Sequence, residues 1–62
     1  MQSKPSYTLS DGTPVQTGDY LYSEFHNTND FVEHLWQDDQ GEVWVEFERH
    51  GQTNIKSCRK VY

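Results

Sequence analysis

The segment Glu42-Val43-Trp44-Val45-Glu46-Phe47-Glu48 alternates strictly, setting Val43, Val45 and Phe47 against Glu42, Trp44, Glu46 and Glu48. A period of two is the spacing of side chains on a β-strand, so the first set faces a core and the second faces outward. Around it, turn-forming clusters recur at short intervals: Asp11-Gly12-Thr13-Pro14, Thr17-Gly18-Asp19, Asn27-Thr28-Asn29-Asp30, Asp38-Asp39-Gln40-Gly41 and His50-Gly51-Gln52. The runs between them are short, rich in β-branched and aromatic residues, and without a sustained helical period. The pattern predicts strands over residues 6–9, 19–25, 31–37, 42–48 and 53–57, with a short final one at 60–62.

Strand 31–37 pairs with 42–48 through Asp38-Asp39-Gln40-Gly41, whose glycine supplies the positive φ that such hairpins need. A second hairpin through Arg49-His50-Gly51-Gln52 extends the meander to 53–57, leaving strand 19–25 to cross over and close the sheet. Alternation in 19–25 groups Tyr20, Tyr22 and Glu24 on one face and Leu21 and Phe25 on the other. In 31–37, Phe31 and Leu35 face one side, and Val32 and Trp36 the other. A strand apolar on both faces is central, bulged or part of an interface.

Composition changes this picture in two ways. The hydrophobic fraction is only 32% and the mean hydropathy is -1.01, a balance that on its own points toward disorder. Yet 15% of residues are aromatic, and each buried ring covers about 150–250 Å², so a few rings can close a small core. A chain of 62 residues is a single domain that buries only about 60% of its unfolded surface. The expectation is a flexible N-terminus at 1–5 and one domain over 6–62. With Cys58 as its only cysteine the chain can form no internal disulfide and no cysteine-rich zinc site, and a lone thiol suits a reducing compartment. No apolar run forms a leader or a membrane span, so the expected location is the cytoplasm. The compact length suggests a bacterial or phage source.

The run Asp11-Gly12-Thr13-Pro14-Val15-Gln16-Thr17-Gly18-Asp19-Tyr20-Leu21-Tyr22 has the form DG-x-x-V-x-x-GD-x-hydrophobic. From Trp44 to Tyr62 the chain ends on an aromatic strand, a glycine turn, a polar strand and a short tail. Both features resemble SH3-like and Tudor-like small barrels, and the resemblance spans most of the chain. It implies an all-β fold, a small SH3-like barrel of about five short antiparallel strands. An ALYDY-type run, an adjacent tryptophan pair and a proline before the final aromatic are absent, so the resemblance carries over no binding residue.

Candidate chemistry is sparse. His26, His34 and His50 lie in three separate segments with no HExxH spacing, and a domain this small leaves little room for a pocket of roughly 300 Å³ or more. Lys56, Arg59 and Lys60 surround Cys58 in sequence, and neighbouring cations lower a thiol's pKa. Asp38-Asp39-Gln40-Gly41-Glu42 gathers oxygen ligands but lacks EF-hand spacing, and turn geometry explains it. The expectation is no enzymatic activity, no metal and no cofactor.

The aromatic residues carry the functional reading. Tyr20, Tyr22 and Trp44 fall on outward faces beside Glu24 and Glu46, with Trp36 as a further candidate. Ring faces attract cations and the acids complement them, so this surface suits a protein partner or a second copy of the chain. Ten acidic against five basic residues give a net charge of -5, which repels phosphate backbones and disfavours nucleic acid and anionic membranes. An alternative is an acidic phage-type inhibitor that mimics nucleic acid. Its warrant is the row Glu42, Glu46 and Glu48, because alternate strand positions are about 6.6–7 Å apart, near the single-strand phosphate repeat.

Overall fold

The structure is a computed structural model describing residues 7–61. The expected flexible segment 1–5, Ser6 and Tyr62 lie outside the described residues. The elements in chain order are β1 (Tyr7–Thr8), β2 (Pro14–Val15), β3 (Tyr20–Ser23), β4 (Thr28–Gln37), β5 (Val43–Phe47), β6 (Gly51–Asn54), a 3-10 turn (Ile55–Ser57) and β7 (Cys58–Lys60). β1 and β2 form a two-stranded hairpin, and the rest make one five-stranded sheet in the order β6-β5-β4-β3-β7. Every pairing is antiparallel. The fold is all-β, as expected. The sheet is not closed: β6 and β7 are its two edges.

Local chemistry sets the turns. In the β4–β5 connection, one Asp38 carboxylate oxygen accepts the backbone N–H of both Gln40 and Glu42 at 2.9 Å. Gly41 there takes φ 83°, a region costly for any residue with a Cβ. The oxygen-rich run is therefore a side-chain-stapled turn. At the end of β3, Ser23 Oγ accepts the His26 N–H at 3.2 Å and shapes the turn into β4.

The core consists of Leu9, Val15, Leu21, Val32, Val45, Phe47, Ile55 and Cys58, with Tyr7, Leu35 and Val43 packed against it. Val45 is 0% exposed and Phe47 2%, and full burial of such side chains stabilises by about 1.5–3 kcal/mol each. The inward set expected on β5 is thus observed, with Val43 at its margin. Glu42 and Glu46 are half-buried, not fully exposed, and Glu48 lies in the turn beyond β5.

Five expectations need correction. Phe25 was expected to face inward with Leu21, but β3 stops at Ser23 and Phe25 sits 72% exposed in the turn. Its place is taken by Ser23, 0% exposed, whose hydroxyl is partnered by His26. Second, β4 carries a bulge: Val32 pairs with Phe47 and His34 with Glu46, so an extra residue lies between them. The bulge moves Leu35 to the inner face with Val32 and leaves Phe31 exposed and Trp36 half-buried on the outer side, so neither expected grouping holds. Third, the crossover belongs to the end of the chain. Strands β3 to β6 form a four-stranded meander, and β7 crosses to pair with the free side of β3. Segment 53–57, read as one strand, splits into β6 and the 3-10 turn, which Asn54 caps by accepting the Lys56 N–H. The strand expected at 60–62 begins earlier, at Cys58.

Candidate functional site

On β5, burial of Val45 and Phe47 sends Trp44 and Glu46 to the opposite face. On β4, the bulge brings Trp36 to that same face, directly across from Trp44 in the register. Trp36, Trp44 and the Gln52 side chain line a shallow groove of about 260 Å³. The Trp44 indole does not swing freely: its Nε1–H donates to Asp38 Oδ2 at 2.9 Å. That bond holds the Asp38 carboxyl below its ordinary value, against a smaller opposing push from burial.

Further along the face, Tyr20 pairs with Phe31 across β3 and β4. Their ring centroids are 4.7 Å apart and tilted by 47°, close enough for a favourable aromatic contact. Both rings remain substantially exposed. Between this pair and the tryptophans lies the bulge, where Glu33, His34 and Glu46 converge. His34 Nδ1 is 3.1 Å from Glu46 Oε1. The outer face thus runs from an aromatic pair through an acidic cluster to a second aromatic pair.

Of the six residues expected to bind, Trp36, Trp44 and Glu46 come together on β4 and β5, and Tyr20 joins the face through Phe31. Tyr22 and Glu24 lie at the other end of β3 in internal contacts. Tyr22 Oη donates to Asn27 Oδ1 at 2.6 Å, and Arg59 Nε donates to Glu24 Oε2 at 2.7 Å, tying the turn to β7. The sequence reading left Phe31, Glu33 and Gln52 out of the site and weighed His34 only as one of three scattered histidines. No residue pattern announces the bulge that groups them.

The other chemistry-bearing groups make contacts within the domain. His50 Nδ1 lies 2.6 Å from Asp30 Oδ2, and His26 Nδ1 lies 2.9 Å from Ser23 Oγ, with the two imidazoles 5.9 Å apart at one end of the sheet. Cys58 is buried, and burial pushes its thiol up to about 11, so the nearby cations do not activate it. A second cavity of about 240 Å³ lies over it, rimmed by Leu9, Asp11, Lys56, Arg59 and Lys60. Two of those cations are committed to acids, Lys56 to Glu42 at 3.4 Å and Arg59 to Glu24. Among the described residues no helix is long and apolar enough to cross a membrane.

No protein-family model, no curated protein and no solved structure matches this chain, so the functional reading rests on the geometry of the outer face.

Proposed function

We propose that the chain is a cytoplasmic protein-interaction module built as an SH3-like barrel, binding a protein partner through the acidic and aromatic outer face of its sheet. The observation that carries this reading is the Trp36–Trp44 pair, opposed across β4 and β5 and bordering a groove beside Glu46. Large rings left at a surface commonly mark an interaction site, and tryptophan is enriched among residues that dominate binding energy. The antiparallel sheet β6-β5-β4-β3-β7 supplies five strands for that architecture, with its edges β6 and β7 not paired to each other. Burial of Cys58 favours a binding role over nucleophilic catalysis at that thiol.

The nucleic-acid mimic draws less support. Glu42 is held by Asn54 Nδ2 at 2.9 Å and by Lys56, Glu46 faces His34, and Glu48 leaves the row. Affinity capture from a host lysate with the wild-type chain and with Trp44→Ala, at low and high salt, tests the reading. A partner retained at high salt and lost with Trp44→Ala supports the aromatic groove. A partner lost with salt and indifferent to Trp44→Ala supports the mimic, and sedimentation of the purified chain reads out self-association.

A further inference from the structure

In a regular strand, Glu33 and His34 would point to opposite faces. The β4 bulge instead sets both against Glu46 on β5, and the carboxylate oxygens and the imidazole nitrogen all come within 4.8 Å of one another. His34 Nδ1 is 3.1 Å from Glu46 Oε1 and 3.8 Å from Glu33 Oε1. For bonds of about 2.0–2.2 Å, ligand atoms around a tetrahedral ion stand about 3.3–3.6 Å apart. The two distances from His34 lie on either side of that spacing, and the two carboxylates stand within 4.8 Å of each other.

Charge points the same way. Among the described residues, Glu33 and Glu46 have a single ion-pairing neighbour, His34, which offers at most one positive charge against two negative ones. Lys56 and Arg59 are committed to Glu42 and Glu24. A divalent cation would balance the two carboxylates.

We propose that Glu33, His34 and Glu46 form a surface site for a divalent transition-metal ion, with zinc as the best-fitting metal. One imidazole nitrogen and two carboxylate oxygens suit zinc, whereas magnesium and calcium prefer oxygen ligands alone. Three protein ligands leave a fourth tetrahedral position open to water or to a partner's side chain. The ligands stand on the two most central strands of the meander, β4 and β5, and not on a loop. The expectation of no metal rested on the scatter of the histidines and the single thiol; the bulge turns Glu33 and His34 toward Glu46, a grouping that spacing did not reveal. The site is additional to the proposed docking role and does not depend on it.

The test is calorimetric titration of the untagged chain with zinc chloride, with magnesium chloride as the comparison, alongside NMR of the histidine rings. One saturable equivalent of zinc is expected, with little response to magnesium. The His34 ring resonances should shift while those of His26 and His50 hold, a readout on the wild-type chain that needs no variant. His34→Gln and Glu46→Gln, both at outer-face positions, should each weaken zinc by about tenfold or more through loss of one ligand. Absence of saturable zinc binding, equal binding of magnesium, movement of the His26 or His50 rings instead, or unchanged affinity in folded His34→Gln would each overturn the site.

Discussion

Asp30 Oδ2 lies 2.6 Å from His50 Nδ1, a bond that ties the start of β4 to the tip of the β5–β6 hairpin. Asp30 is only 4% exposed, and it also accepts the backbone N–H of Arg49 at 2.8 Å and of Phe31 at 2.7 Å. Burial pushes its carboxyl up, but these hydrogen bonds outweigh the push and leave it below the ordinary 3.8.

A depressed carboxyl stabilises the fold when ionised. The contribution of Asp30 is therefore present above pH 3.8 and is lost as the pH falls through its lower folded value. Asp30→Ala leaves the Arg49 N–H and the His50 ring without their buried acceptor, which should cost about 1–3 kcal/mol. In a domain whose whole stability is about 3–5 kcal/mol, that is a large fraction. Thermal melts between pH 2 and 7 check this: the wild type should lose stability steeply in acid, and Asp30→Ala should start lower with a shallower acid slope.

Phe47 is 2% exposed at the centre of the core. Phe47→Ala should cost about 3–5 kcal/mol, enough to unfold the domain. A circular-dichroism melt of Phe47→Ala still cooperative near the wild-type temperature would contradict the placement of β5.

Trp44 stands on the other face, and its removal should separate binding from folding. Trp44→Ala breaks the bond to Asp38 but opens no cavity in the core. The expected outcome is a folded protein with partner affinity or self-association weakened by about 2 kcal/mol or more. If the melt of Trp44→Ala shows an unfolded chain, the ring belongs to the core and the docking face must be redrawn.

Deleting Glu33 tests the bulge itself. Without the extra residue, Val32, His34 and Leu35 would alternate in, out and in, which preserves the observed inner face. The shortened chain should fold with only a modest loss of melting temperature. Were β4 regular, the same deletion would turn every later side chain over and destroy the β4–β5 core.

Cys58 is 3% exposed and its thiol is pushed from 9.0 up to about 11. Two units less acidity means about a hundredfold less thiolate near neutral pH, before steric protection is counted. Iodoacetamide should label the native chain very slowly at pH 8 and rapidly in urea. Because the raised thiol pKa favours the folded state only while the thiol stays protonated, stability should decline as the pH climbs past 9.0.

The strands were legible where the chain alternates cleanly. Glu42 to Glu48 placed β5 within one residue at each end, and Asp38 to Gly41 located its turn. Legibility failed where a side chain replaced a backbone rule. Phe25 obeys the period of β3, yet the Ser23 hydroxyl turns the chain before that period reaches it. The β4 bulge lies inside an apolar run whose two faces look alike, so Val32 and Leu35 gave no hint that they share a side. The site inherited both effects: Trp44 and Glu46 were found from alternation, whereas Trp36 and His34 join them only because the alternation breaks.

The pairing of β7 with β3 is the long-range pairing of the sheet. Each other pairing joins strands adjacent in sequence through a short turn, and such hairpins close within microseconds. The contacts Leu21–Lys60 and Ser23–Cys58 must instead bring distant parts of the chain together, and long loops close at a higher entropic cost. Closing β7 onto β3 therefore carries a larger entropic cost than closing any of the hairpins. In the native state the same strand is held by three residues at an open edge, where local opening costs less than in the central strands. Its backbone amides should exchange with solvent well before those of β4 and β5, which makes the C-terminal strand the clasp of the molecule.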